Sequence, residues 1–291
     1  MSQPDTRQDT RVSPLETGLL HVVLIAAVCF ALYPIMWVIA LALTPGGLGA
    51  QSGVLPIPHD PSLENFRRVL GMGDPARAWL FWRQLGNSLV VALATSFVAV
   101  AIATSAAYAL ARFRFVGSSA GMRTLLATQM FPAVASAVPL YLLLDALHLL
   151  DSRAGLVFVY ASTAVPFAIF QLRGAFLSIP VDIEEAAMVD GASRAQAFWL
   201  VVLPAARPAI AVTGLFAFMS AWNEFILAAT LLSRETAFTL PVVLQRYVGE
   251  HDAAWGPFAA GAILVSVPVM ALFYVAQKQL VSGLTAGGVK G

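Results

Sequence analysis

Charge is scarce in this chain. Of 291 residues, 11% are Asp, Glu, Lys or Arg, where a soluble domain carries about 25%. The formal net charge is +1, so there is no electrostatic case for binding nucleic acid. Cysteine is nearly absent. Cys29 stands alone inside an apolar run; it cannot form an internal disulfide and has no metal-site companions. It reads as one more small apolar residue. His21, His59, His148 and His251 lie far apart and mostly in loops, and read as solvated or interfacial. No G-x-x-x-x-G-K-[ST] loop occurs, so the chain supplies no nucleotide site of that type. The apolar runs hold no paired aspartates, no Ser/His pair and no H-E-x-x-H, which removes the common intramembrane hydrolase designs. By this reading the chain is not an enzyme.

What is abundant is hydrocarbon: 59% of the residues are hydrophobic. Apolar runs at 18–43, 87–111, 122–147, 155–172, 209–232 and 258–281 are each near the roughly 20 residues a helix needs to cross a bilayer. The fold class expected is all-α, a polytopic membrane protein of six transmembrane helices. Within the first run Ala40-Leu41-Ala42 resembles a signal-peptidase site. The run, however, far exceeds the roughly 7–15 residues of a signal core, so a retained span is expected. Residues 1–17 are polar and expected to be a disordered tail. Pro34, Pro132, Pro139, Pro166 and Pro268 fall inside the runs. In a bundle, neighbouring helices can satisfy the carbonyls they free, so kinks are expected there, static or flexing.

Loop charges orient the chain. The loop after the second run holds Arg112, Arg114 and Arg123 with no acid. The loop after the third holds Asp145 and Asp151 against Arg153. This puts the first loop inside, with both termini and the 184–208 loop on the same side; Lys278 and Lys290 agree. Segment 44–86 carries Arg67, Arg68, Arg77 and Arg83 against that trend, offset by Asp60, Glu64 and Asp74. It also holds a helix-like piece from Ser62 to Leu70. In the second run Ala99, Ala103, Ala107 and Ala111 repeat at every fourth position. Such a stripe lets helix backbones approach closely in lipid.

Residues 184–208 are the longest stretch with the polarity for water. Asp182 and Glu185 read as a capping box, opening a helix that runs to about Val189. Gly191 then suits a left-handed helix end. Ser193 and Gln196 read as a second capping box, followed by Phe198, Val201 and Val202 on one stripe. Pro204 and Pro208 end or kink that helix. The product is a helical hairpin with an apolar face. A lipid-surface helix wants Lys and Arg on its polar side, whereas this one has Asp182, Glu184, Glu185 and Asp190 against Arg194. A soluble partner protein fits better; folding back on its own bundle is the plainer alternative.

Three further features stand out. Trp222-Asn223-Glu224 places a carboxylate inside a span, where it must face a partner or a wet cavity. The set suits a sugar in a translocation pathway, or else a structural pairing. The loop at 232–256 holds Gln245, Tyr247, Glu250, His251, Asp252 and Trp255, a composition for protein or sugar contact, or for a plain solvated loop. The glycine-rich tail at 282–291 ends in Gly287, Gly288, Val289, Lys290 and Gly291 and reads as floppy.

Glu185-Ala186-Ala187, Asp190-Gly191-Ala192, Phe198, Leu203-Pro204 and Pro208, at unbroken spacing, resemble the EAA signature of permease subunits of ATP-binding cassette importers. The resemblance implies that the hairpin is a coupling helix seated in a cleft of an ATPase subunit. Glu184, Glu185, Ala186, Ala187, Asp190, Gly191, Ala192, Phe198 and Pro204 would carry the contact. ATP would be bound by that subunit, so no cofactor is expected on this chain. The stretch from Tyr108 to Phe115 is similar to that of sugar-importing permeases. Gln129-Met130-Phe131-Pro132-Ala133-Val134 and the final Gly287-Gly288-Val289-Lys290-Gly291 resemble the maltose/maltodextrin branch, although permeases for trehalose, sucrose or glycerol phosphate share much of the rest. The resemblance runs over about 18–291. It implies a multi-pass protein of the inner membrane with cytoplasmic termini. The implied partners are a MalF-like sister permease, two copies of a MalK-like ATPase, an extracytoplasmic sugar-binding protein and membrane lipid. It further implies that the tail inserts between the ATPases, and that Tyr247, Glu250, His251, Asp252 and Trp255 meet the binding protein. A passive channel, the reading from another class, would have no use for an apolar hairpin.

Overall fold

The computed structural model describes residues 14–46, 55–58, 60–249 and 253–288. Among these residues the chain is helical throughout, apart from turns and one antiparallel bridge between Val248 and Ala253. The helices in order are α1 (Pro14–Leu43), α2 (Glu64–Val69), α3 (Pro75–Arg112), α4 (Ser118–Thr128), α5 (Ala133–Ala146), α6 (Arg153–Ser178), α7 (Val181–Val189), α8 (Arg194–Ala197), then a π-turn (Phe198–Val202), α9 (Leu203–Ala205), α10 (Arg207–Asn223), α11 (Ile226–Leu231), α12 (Leu240–Gln245) and α13 (Trp255–Gly288). The expected helix-like piece at Ser62–Leu70 is α2. Residues 14–17, expected in a disordered tail, already belong to α1.

Among the described residues, four helices are long and apolar enough to cross a membrane: α1, α3, α6 and α13 over Trp255–Gln277. A fifth crossing follows if the segments Arg194–Ala205 and Arg207–Asn223, bent by 73°, count as one. The expectation of six transmembrane helices is thus met by four or five such spans, and the structure differs from it at two places. The run at 122–147 is split into α4 and α5, because Pro132 offers no N–H and disfavours helical geometry at Phe131. The run at 209–232 is split at Glu224, whose backbone leaves helical geometry with φ −70° and ψ 125°.

α3 organises the bundle, packing along both α6 and α10. Its start is well specified. Pro75 opens the first turn, and the Asp74 carboxylate accepts from the N–H groups of Ala76 and Arg77 at 3.0 and 3.4 Å. Ala99, Ala103 and Ala107 are fully buried and Ala111 partly so, as the four-residue spacing requires. Ala103 and Ala107 pack with Ala168, Leu172 and Phe176 of α6. Ser96 Oγ donates to Gly214 O of α10 at 2.7 Å. Such close backbone approach supplies dispersion where lipid removes the hydrophobic drive.

At 38 residues, α3 is about 57 Å long, well over the roughly 30 Å of hydrocarbon. Its two ends belong to two different hydrophobic clusters, Phe81 and Val91 to one and Ala103, Ala107 and Tyr108 to the other. At the first end, polar side chains tie loops together. Asn65 Nδ2 donates to the carbonyls of Ala42 and Thr44 at 3.0 and 3.1 Å. Asn87 Nδ2 donates to those of Thr236 and Phe238 at 2.9 and 3.1 Å. Buried amides are tolerated there because their bonds are made. At the far end, α3 meets the α7–α9 hairpin.

Candidate functional site

The hairpin begins with a correction. The capping box expected of Asp182 and Glu185 does not form: Pro180 is the residue before the first turn, and no side chain caps it. Asp182 lies in the first turn, where its charge still suits the helix dipole. The far end matches expectation. Gly191 has φ +95°. Gly191 N–H donates to Met188 O at 3.1 Å and Ala192 N–H to Ala187 O at 3.0 Å, the pair of bonds that defines a Schellman end. Ser193 Oγ then accepts from Gln196 N–H at 3.3 Å while Gln196 Oε1 accepts from Ser193 N–H at 2.8 Å, completing the second capping box.

The helix after that box does not stay regular. Pro204 cannot donate to Leu200 O, and Leu203 N–H bonds Phe198 O five residues back. The resulting π-turn widens the helix over Phe198–Val202. Val202 and Ala197 are buried and Phe198 partly so, facing the bundle. Trp199 and Leu200, 63% and 71% exposed, face away, as does Val189 at 87%. The hairpin therefore has one greasy side against its own bundle and a second one facing outward.

Glu184 holds the inward side. It is 2% exposed. Arg112 Nε, at the end of α3, donates to its Oε2 at 2.9 Å, and the Tyr108 hydroxyl donates to its Oε1. Arg112 Nη2 also donates to Ile179 O at 2.9 Å. Tyr108 packs against Phe198, ring centroids 4.5 Å apart, and against Phe176 at 6.0 Å. Arg194 lies over the Phe113 ring at 5.3 Å. Glu184 is thus an internal anchor, whereas Glu185, Ala186 and Asp190 are exposed and Ala187 and Ala192 half-buried. Tyr108 and Arg112 were not among the expected site residues. Their i,i+4 spacing at the end of a span, an aromatic hydroxyl beside a guanidinium, was the available signal.

Trp222, Asn223 and Glu224 do not form one polar surface. Trp222 is 1% exposed, its ring stacked on Phe218 at 5.4 Å. Asn223 is exposed and donates to Met219 O at 2.9 Å. Glu224 accepts from the Leu227 and Ala228 N–H groups at 2.9 and 3.0 Å and from the Tyr160 hydroxyl at 2.7 Å. It closes the exposed N–H groups at the start of α11. In the outer loop, Tyr247 and Trp255 are half-buried near the Val248–Ala253 bridge. Glu250, His251 and Asp252 lie outside the described residues. Gly287 and Gly288 close α13; Val289, Lys290 and Gly291 also lie outside the described residues.

Comparison with known proteins accounts for this arrangement. The maltose/maltodextrin transport system permease protein MalG of Salmonella typhimurium is 38% identical, the match covering 100% of this chain and 99% of that protein. The trehalose transport system permease protein SugB of Mycobacterium tuberculosis is 36% identical, covering 90% of this chain and 93% of that protein. Among solved structures, a bacterial ABC transporter involved in the import of the acidic polysaccharide alginate contains a chain with TM-score 0.75 and 27% identity, covering 96% of this chain and 100% of that one. Residues 99–285, which include α6, the hairpin, Glu224 and most of α13, match the family described as binding-protein-dependent transport system inner membrane component. With that match over most of its length, this multi-pass helical chain belongs to the inner-membrane permeases of binding-protein-dependent transport systems.

Proposed function

We propose that this chain is one permease half of an ATP-driven sugar importer, with maltose or maltodextrin as the favoured cargo. The observation that carries the reading is the hairpin Val181–Ala205: fastened to α3 through Glu184 and Arg112, yet presenting Val189, Trp199 and Leu200 outward. An apolar face on a polar hairpin needs a protein partner. A partner ATPase that closes on ATP pulls on this face. The Glu184–Arg112 link passes the pull to the end of α3, and the spans rock between outward-open and inward-open states. Glu185, Asp190, Gly191 and Ala192 form the rim of the contact, and the tail from Gly287 to Gly291 reaches between two copies of a MalK-like ATPase.

In this reading the hairpin and both termini are cytoplasmic, and the loop near Tyr247 and Trp255 faces an extracytoplasmic sugar-binding protein. The chain crosses the membrane six times with a MalF-like sister permease beside it. The broken pairs α4–α5 and α10–α11 supply the crossings that no single helix provides. The maltose assignment is supported by identity over the whole chain to a maltose permease. Trehalose is the second candidate, supported by nearly equal identity to a trehalose permease.

The test is to purify the tagged chain from membranes and identify what co-elutes. The neighbouring binding protein is then screened by thermal shift against maltose, maltotriose, trehalose, sucrose and glycerol phosphate. A nucleotide-binding subunit and a shift with maltodextrins are expected. Elution with no nucleotide-binding subunit overturns the importer reading; a shift with trehalose alone moves the cargo.

A further inference from the structure

Arg67, Arg68, Arg77 and Arg83 break the charge pattern that orients this chain, and the transport reading gives them no task. Two of them converge. A cleft of about 430 Å³ lies between α2, the first turns of α3 and the segment around α12. Arg68, Arg77 and Arg246 line it, together with Gln84, Glu235 and Tyr247.

Among the described residues, the charges in and beside the cleft do not cancel. Arg77 pairs with Asp74 at 3.3 Å, both well exposed, and Arg246 pairs with Glu235. Among the described residues no ion pair involves Arg68. Three guanidiniums thus face two carboxylates among these described residues, leaving one positive charge over. Burial raises the Tyr247 hydroxyl above its ordinary pKa, while Arg68 and Arg77 pull it the other way; both cations therefore act on the same hydroxyl. A phenol kept protonated beside two guanidiniums is a set of donors; of these Arg77 already has a carboxylate partner in Asp74, while Arg68 is in no ion pair among the described residues.

The helical wheel of α3 says which way the cleft faces. Arg77, Leu80, Phe81 and Gln84 recur on one side at three- and four-residue spacing and line it. Trp79 and Trp82, 55% and 60% exposed, lie on the opposite side. Exposed tryptophans at the end of a span mark the headgroup level. The cleft therefore faces away from the lipid side of this helix. That separates it from lipid phosphates and leaves a protein-borne acid as the occupant that fits.

We propose that this cleft is a carboxylate receptor, in which Arg68, Arg77 and Tyr247 hold an acidic side chain of the extracytoplasmic binding protein when it docks. The proposal rests on the importer reading above.

The experiment uses the full complex in nanodiscs of phosphatidylcholine alone, with the neighbouring binding protein and its sugar as probe. The concentration of binding protein that half-saturates ATPase stimulation is measured. Arg68→Glu raises it roughly tenfold and Arg68→Gln roughly threefold, both differences shrinking as salt rises. Arg67→Glu, the same charge change on the neighbouring residue outside the cleft, leaves it in place. If Arg68→Glu does not assemble, Arg68→Gln decides. Half-saturation within twofold of the unmodified complex for Arg68→Gln overturns the proposal. So does an equal shift in Arg67→Glu and Arg68→Glu, which reports general surface charge. A shift that appears only when phosphatidylglycerol is added assigns the cleft to lipid phosphate and also overturns it. An unmodified complex with no response to binding protein sinks the importer reading itself, and the proposal with it.

Discussion

Glu184 and Arg112 form an ion pair at 2.9 Å, with side chains 3% and 6% exposed, between the hairpin and the last turn of α3. Two charges sealed from solvent are worth little as a net gain, but removing one strands the other at a cost of about 3–5 kcal/mol. Glu184→Ala or Arg112→Ala alone should therefore lower the melting temperature of the solubilised complex sharply. The double substitution should cost less than the sum, because no orphan charge remains. Tyr108→Phe removes one hydrogen bond to a carboxylate and should cost about 1.5–3 kcal/mol. Additive single effects in the double mutant would show that the pair does not act as a unit.

Gly191 holds φ +95°, and an added Cβ would meet nothing within 4 Å. Crowding inside the chain is therefore not the reason a side chain fails here. The strain is in the backbone, about 1–2 kcal/mol for a residue with a Cβ, and an asparagine tolerates it best. Gly191→Asn should insert and retain part of its transport. Gly191→Asp and Gly191→Val should insert yet lose uptake, the first by adding charge at the contact and the second by straining the turn. Full sugar uptake by Gly191→Asp in membrane vesicles would refute the coupling role of this turn.

How much of this was legible in the sequence depends on distance along the chain. The Gly191 turn and the Ser193–Gln196 box involve residues within five of each other, and their chemistry could be read directly. The alanine stripe could be read because its period is that of the helix it packs. The Asp182 cap could not, because Pro180 already ends the preceding segment and the helix starts two residues earlier than a cap at Asp182 needs. Nor could the anchor of Glu184, whose partners lie 72 and 76 residues away. A carboxylate in a polar hairpin gives no sign that it points inward. For Glu224 the sequence supports a cargo contact and a structural pairing alike, for a related reason: the N–H groups it accepts from are freed only by the bend it sits in.

Trp199 and Leu200 are more than half exposed on the hairpin while Ala197 and Val202 beside them are buried. The outward pair therefore contributes little to the chain's own packing. Trp199→Ala and Leu200→Ala should leave insertion and thermal stability within about 0.5 kcal/mol of the parent. They should cut recovery of the nucleotide-binding subunit in pull-down, because an aromatic anchor at an interface commonly contributes about 2 kcal/mol or more. Undiminished co-purification of that subunit with the double variant Trp199→Ala/Leu200→Ala would remove this face from the contact.

Glu224 separates a structural carboxylate from a cargo ligand. Both oxygens are already engaged, Oε1 by Leu227 N–H and Oε2 by Ala228 N–H and the Tyr160 hydroxyl. Glu224→Gln keeps one acceptor and turns the other into a donor that faces an N–H, so α11 loses part of its start. The expected cost is about 1–2 kcal/mol in the stability of the complex. Tyr160→Phe should cost less, since the two backbone bonds remain. If Glu224 is a cap, the uptake KM for sugar stays near that of the parent while the fraction of assembled complex falls. A large rise in KM with unchanged stability would instead place this carboxylate on the cargo.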